Sequence, residues 1–325
     1  MASWVGGIAG LATSFLWAFS ATLYGFITRR VPGVRSITLA AIRATLGSLL
    51  LLLLHRLLYG TFWPVEVPRD TVLLLAASSL LSITLGDLGY FYGIAYIGPR
   101  LVTLLSSAAP LITTLLAWLL LGEVLPPLHL AGVAVAVGGV AWVVSEPRGA
   151  DDWSGNPRRF RIGVALALSS TALVAASYVL SRAALNGAHF SLDWEHWRHL
   201  HPLDDGPPLP KVAPFSAAVI RVVTATAQGW LLLPFFGALR GTLAAFGNRR
   251  LVPLALAATL AGLVIGVWTA MVTLQYAPGG VGAALMNLSP IFMIPLTWLV
   301  FGERHSRRSI AGTVVAVIGV GLLLL

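Results

Sequence analysis

The sequence predicts an all-α integral membrane protein, with ten transmembrane helices arranged as two inverted five-helix repeats. Three observations carry that prediction: an apolar composition, apolar runs of membrane-crossing length, and an internal repeat. Of 325 residues, 57% are hydrophobic and 10% are charged, whereas a soluble domain carries about a quarter charged residues. Mean hydropathy is +0.86. The apolar residues gather in runs of about 20, the length that crosses a hydrocarbon core.

Charge, Gly and Pro bound these runs and place the spans at Trp4 to Ile27, Ser36 to Leu54, Thr71 to Ile97, Leu101 to Leu121, Leu128 to Ser145, Ile162 to Ser181, Pro214 to Phe236, Leu251 to Tyr276, Val281 to Phe301 and Ile310 to Leu325. The first run lacks a charged leader and is longer than the apolar stretch of a signal peptide, about 7–15 residues, so it is expected to stay as a helix. Gly98-Pro99 and Pro278-Gly279-Gly280 punctuate two tight hairpins. A polar stretch with Pro147, Asp151, Asp152 and Pro157 divides the chain near its middle. It separates a first repeat, 1–147, from a second, 162–325, through a linker at 148–161.

The second repeat carries a long loop at 186–213 with His189, His196, His199 and His201 beside Asp193, Glu195, Asp204 and Asp205. Their spacing fits no zinc signature. The loop reads instead as a solvated segment with Trp194 and Trp197 at the headgroups. No metal and no cofactor is expected.

The repeat emerges when residues 110–140 are laid without gaps on 290–320, where 13 of 31 positions are identical. Pro110 meets Pro290, Trp118 meets Trp298, Gly122-Glu123 meets Gly302-Glu303, Ala131-Gly132 meets Ala311-Gly312, and Gly139 meets Gly319. Shared greasiness does not put Pro, Trp, Gly and Glu in register. Ala40-Ala41-Ile42-Arg43 likewise resembles Ala218-Val219-Ile220-Arg221, and Tyr96 falls on Tyr276. Five spans per half force the second half to enter the membrane upside down, and inverted halves are the architecture of alternating access around a midplane site.

The net charge of +9 does not point to nucleic acid, because the arginines sit at the ends of apolar runs and form no basic stripe. Connections after odd-numbered spans hold fourteen basic residues, among them Arg158, Arg249 and Arg307, against five after even-numbered spans. The positive-inside rule then puts both termini outside. With no cysteine there is no disulfide or thiol chemistry. Nor is there a nucleotide P-loop, H-E-x-x-H or G-x-S-x-G to support ATP-driven transport or the commoner hydrolases. The expected partners are the lipid bilayer and a small-molecule substrate, with protons as the candidate coupling ion.

Pro in the fourth span, Gly-Glu closing it and Ala-Gly opening a glycine-rich fifth, all repeated in the second half, resemble the EamA family of the drug/metabolite transporter superfamily. That resemblance implies a ten-helix carrier in the cell membrane, largely an exporter of amino acids and other metabolites, with a central cavity lined by both halves and no enzymatic activity. Members usually keep both termini in the cytoplasm, opposite to the charge count here.

Ionisable residues inside the spans are few, and a charge at the bilayer centre costs about 3 kcal/mol on insertion scales. Asp87 is the carboxylate deep in a span. At about 100° per residue it shares a face with Tyr90, Phe91 and Ile94, while Gly89 and Gly93 lie opposite and suit close packing. Asp87 is either a proton- or ammonium-binding group or a structural partner of Arg43, since the two sit at matching depths of about 15 and 11 Å. Arg221 is the counterpart of Arg43, yet the position matching Asp87 is Val267, which leaves Arg221 for a substrate anion or for snorkelling. Pro110 and Pro290 are expected to kink their helices and free the carbonyls of Ser106 and Met286, which would bring Ser106, Ser107, Asn287 and Ser289 to a cavity or leave a plain packing kink. The aromatics Trp17, Tyr24, Tyr90, Tyr178 and Trp268 are candidate cavity walls. Glu123 and Glu303, after Gly122 and Gly302, read as structural groups at helix ends, by capping or ion pairing. Two rivals to a metabolite carrier remain: a flippase for a lipid-linked substrate, and an intramembrane enzyme acting on lipid.

Overall fold

The structure, a computed structural model, describes residues 2–30, 36–144, 157–187, 211–248, 250–301 and 307–324. Among these residues every regular element is a helix. In the first half α1 is Ala2–Arg30, α2 Ser36–Tyr59, α3 Arg69–Ser79, α4 Asp87–Ser106, α5 Ala109–Leu121 and α6 Pro127–Val144. In the second, α7 is Pro157–Asn186, α8 Pro214–Leu232, α9 Leu239–Ala245, α10 Leu251–Thr259, α11 Gly266–Tyr276, α12 Gly279–Met286, α13 Ser289–Phe301 and α14 Arg307–Leu324. Two π-helical segments, Leu80–Gly86 and Leu260–Ile265, join α3 to α4 and α10 to α11 without a break.

Proline sets many of these starts. Pro127 opens α6, Pro157 opens α7, Pro214 opens α8, and Pro68 and Pro278 stand just before α3 and α12. The ring fixes φ, and the missing N–H is one that the first turn leaves unbonded in any case. For this reason α7 begins at Pro157 and not at Ile162: its first turn takes in Arg158, Arg159 and Arg161 as a polar collar. Gly122 closes α5 in the left-handed conformation, at φ 63°, which an L side chain resists.

Among the described residues, eight helical stretches, some of them joining consecutive elements, are long and apolar enough to cross a membrane; α6 and α14 carry shorter apolar stretches, Pro127–Trp142 and Ile310–Leu323. The outer surface is apolar as well, with Phe15, Leu53, Leu115, Trp142, Val314 and Ile318 all exposed. A solvated protein does not present such a belt, and the chain is a multi-pass membrane protein.

Where lipid is the solvent, helices associate through close approach of small residues. The pairing of α6 with α14 shows the rule and a symmetry together. Gly139 lies on the backbone of Ala316, and Gly319, 180 residues later, lies on the backbone of Ala136, which is 180 residues before Ala316. Each half thus offers the other the same two residues, the signature of a two-fold contact. Gly132 lies against Leu323, so positions rise along α6 as they fall along α14, and the two helices run antiparallel. The remaining contacts repeat the theme: α1 packs on α11 as α7 packs on α4, while α2 faces α8 and α5 faces α12.

The π segments also fall 180 residues apart, and each is followed or ended by glycine. A Cβ on Gly86 would stand 2.8 Å from the carbonyl oxygen of Leu81, and one on Gly266 would stand 3.0 Å from that of Ala261. In both halves, then, a carbonyl five residues back presses on the Cα, as the wider π turn requires.

Candidate functional site

A cavity of about 990 Å³ opens between the halves, at the upper end of the range for small-molecule sites. Its wall includes Trp17 and Tyr24 of α1, Arg43 of α2, Ser82 of the first π segment, Tyr178 of α7, Arg221 of α8, Gly262 of the second π segment, Val267 of α11 and Met293 of α13. From α4 come Asp87, Tyr90, Phe91 and Ile94, one face of the helix. The opposite face packs on α7, where Gly89 meets Leu166 and Ser170, and Gly93 meets Ala167.

Arg43 donates from Nη2 to Oδ2 of Asp87 at 3.0 Å. Neither side chain is sealed from the cavity, at 28% and 36% exposure. The Arg43 guanidinium also lies 5.8 Å from the centre of the Tyr24 ring, a cation–π distance, and Tyr24 in turn bonds Thr259 at 3.0 Å.

Arg221 stands differently. It is 4% exposed, and its Nη2 donates to Ser82 Oγ at 2.8 Å and to Ser177 Oγ at 3.0 Å. Nη1 rests on the sulfur of Met271 at 3.6 Å, and Nε has no hydrogen-bond partner. Among the described residues no carboxylate lies within ion-pair distance of it. Val267, at the position that matches Asp87, is a buried aliphatic.

The cavity-lining residues of α1 lie toward its C-terminal end and those of α2 toward its N-terminal end. The cavity therefore leans to the face where those two helices meet. The opposite face carries a polar tie between helices. There Arg182 of α7 pairs with Glu123, just past α5, and donates to the carbonyl oxygens of Leu274, at 2.6 Å, and Ala277. Glu123 Oε2 accepts from the Gly279 N–H at 2.8 Å, a carboxylate on the N-terminus of α12 where the helix dipole favours it. Its counterpart Glu303, with Gly302, lies outside the described residues, as do the loop histidines from His189 to His201.

Several expected site residues do not reach the cavity. Pro110 and Pro290 lie where the helical ladder is interrupted within the membrane-length stretches Leu101–Leu121 and Gly279–Val300: Ser107-Ala108 and Asn287-Leu288 leave the regular helix, and each proline sits in the first turn beyond. The neighbouring polar groups are spent locally. Ser107 Oγ donates to Leu104 O at 2.6 Å, Ser289 Oγ to Met286 O at 3.4 Å, and the Asn287 N–H to Ala283 O at 3.0 Å. Ser106, Ser107 and Asn287 are absent from the cavity wall. Trp268 is also absent from it; it stands 41% exposed on the outer surface, edge-on to Phe215. Trp17, by contrast, lines the cavity and donates from its indole to Gly262 O at 3.2 Å, within the second π segment.

Gly98-Pro99 separates two membrane-length stretches, Arg69–Ile94 and Leu101–Leu121, although helical backbone runs through it. The chain still doubles back: Tyr90 and Thr103 bond at 3.4 Å across thirteen residues that a straight helix would spread over about 20 Å.

The residues missed from sequence are Ser82, Ser177, Arg182 and Met271. The serines gave no signal in apolar runs. Arg182 read as one more charge at a span's end.

No curated protein matches the chain. A crystal structure described only as that of a protein is similar in fold, with a TM-score of 0.71 at 15% identity, covering 98% of this chain and 96% of that one. Residues 4–145 and 208–325 each match the EamA-like transporter family, one match to each half of the reciprocal contacts described above, and the chain belongs to that family.

Proposed function

We propose that this protein is a secondary carrier that exports a small amphipathic metabolite, an amino acid or a relative of one, across the cell membrane by alternating access. In this reading all ten apolar helices cross, as inverted halves at 1–147 and 162–325. The observation that carries it is a cavity that leans to one face while the Glu123–Arg182–Gly279 tie joins helices at the other. The reciprocal Gly139–Ala316 and Gly319–Ala136 contacts support a two-fold axis in the membrane plane, since they relate antiparallel helices. Two matched halves then exchange shapes, and the open face closes as the tied face opens.

Asp87 is the group proposed to couple transport to protons, with Arg43 as its ion-pair partner. Membership of a transporter family weighs against an intramembrane enzyme. One observation favours the lipid-linked cargo of a flippase: a second pocket of about 290 Å³, between α2, α4 and α8, shares Arg43 and Asp87 with the central cavity and is lined mainly by apolar side chains such as Ile37, Phe91 and Leu233.

The test is uptake and efflux of a labelled metabolite panel in proteoliposomes, with and without a proton gradient. We expect flux of one or more amphipathic metabolites that accelerates with the gradient, and flux by Asp87→Asn that ignores it. Proteoliposomes that move no soluble metabolite but equilibrate a labelled lipid between leaflets would transfer the assignment to the flippase.

A further inference from the structure

We infer that Arg221 is an anion-binding anchor, so that the cargo carries a carboxylate or a phosphate group which docks on this guanidinium. The inference rests on the reading of the cavity as a transport site and adds the chemical class of what it takes.

A guanidinium offers five N–H donors and cannot lose its charge in a protein. Arg43 and Arg221 occupy equivalent places, each seven residues into its helix, or about 11 Å. The first is neutralised by Asp87 at 3.0 Å. The second has two serine hydroxyls and a thioether, none of them charged, and an Nε with no partner.

A buried charge without a counter-ion is costly, and the cost falls when a partner brings the opposite charge. Snorkelling does not relieve it, because the side chain is 96% buried and its head is held by Ser82 and Ser177, from the first π segment and α7. Both serines come from helices other than its own. They fix the fork in place and add hydroxyls that can turn to donate to an oxyanion. A carboxylate or phosphate that displaces one serine hydroxyl from Nη2 would take the bidentate pairing that arginine favours, and the displaced hydroxyl would be free to donate to it.

The asymmetry gives the cargo a direction. Its anionic group lies at Arg221, and a cationic or hydroxyl-bearing end is drawn to Asp87 across the same cavity. Trp17, Tyr24, Tyr90 and Tyr178 supply aromatic walls between the two, which suit a flat or apolar middle.

The experiment uses the purified full chain in detergent and four probes of similar shape: 3-phenylpropionate, phenyl phosphate, the neutral 3-phenylpropanamide and the cation phenethylamine. Binding is read as thermal stabilisation and confirmed by calorimetry. We expect 3-phenylpropionate or phenyl phosphate to bind at least tenfold more tightly than the amide and the amine, and the stronger of the two identifies the anion. Arg221→Gln should erase that preference. Should Arg221→Gln fail to fold, Val267→Asp serves instead, since it keeps the arginine and supplies an internal carboxylate at the matching position. It should abolish anion binding. Equal binding of all four probes, no binding of either anion by the wild type, or an anion preference that survives Arg221→Gln or Val267→Asp overturns the assignment. Anion binding at Arg221 with no flux of any probe in proteoliposomes would keep the anchor and refute the carrier, so the two readings fail separately.

Discussion

Replacing Gly139 with alanine tests the two-fold contact directly, because the obstacle is backbone. The added Cβ would lie 2.7 Å from Ala316 Cα and closer still to Ala316 N, where ordinary contact begins near 3.4 Å, so α6 and α14 must part by more than about 0.7 Å. Overpacking of this kind costs about 1–3 kcal/mol, or about 1.5–4.5 °C of melting temperature in a protein of this size. Gly319→Ala meets Ala136 Cα at the same 2.7 Å and should cost the same. The two sites sit about three residues apart along the crossing, near 5 Å, so their effects are coupled. Once the first alanine has separated the helices, the second finds room, and the double variant should lose less than the sum by about 0.5–1.5 kcal/mol. Gly138→Ala, whose Cβ meets nothing within 4 Å, is the control and should melt as the wild type does or slightly higher. Melting curves of the wild type and the four variants in one detergent settle the matter. A Gly139→Ala protein within 1 °C of wild type, or two single costs that differ several-fold, would falsify the reciprocal contact.

Three further outcomes follow from other parts of the molecule. Gly86→Ala and Gly266→Ala put a Cβ 2.8 and 3.0 Å from a carbonyl oxygen of the same π turn; each should lower stability by about 1–3 kcal/mol and slow flux severalfold, whereas wild-type flux in both would deny the π segments a role. Glu123→Gln weakens the partner of Arg182 and of the Gly279 N–H, so a cysteine placed at Ala277 should react faster with a water-soluble maleimide than in the otherwise wild-type chain, and an unchanged rate would show that the tie does not hold that face shut. Single cysteines at Arg158, Arg250 and Arg307 should resist an impermeant reagent on intact cells and label after lysis; labelling from outside at all three would reverse the orientation drawn from the arginine count.

How far the sequence is legible depends on which physical signal each feature leaves. Pro214 marked a helix start, whereas Pro127 and Pro157 open helices ahead of the spans drawn at Leu128 and Ile162, because a polar first turn leaves no apolar signal; the halves were marked by residues that greasiness does not select, such as Trp118 and Gly122. The Asp87 face of α4 followed from helical periodicity because two glycines marked the packed side. Direction failed for Trp268, since lipid and protein interior are equally apolar and an indole is at home in either. The π segments left no trace before the two glycines were seen against their carbonyls, as hydrogen bonds from i to i+5 demand no particular side chains. Ser82 and Ser177 were unreadable for a related reason: a serine in an apolar helix usually bonds its own backbone, and its service to Arg221 exists only once α7, α8 and the π segment are brought together.

The widened turns before Asp87 and Val267 bear on how this gene tolerates change in length. A π turn is an α turn that holds one extra residue, so deleting a single codon between positions 80 and 86 would leave a well-bonded α-helix in its place. Because that extra residue is held within a single turn, the helix beyond it would keep its bearing, with Asp87 still on the cavity side and Gly89 still seated on α7. A one-residue deletion in an ordinary α turn of the same span instead rotates everything beyond it by about 100°, which would carry the carboxylate out of the cavity without any loss of hydropathy. The two widened turns are therefore the places in their spans where a lost codon does least harm to the wall of the cavity.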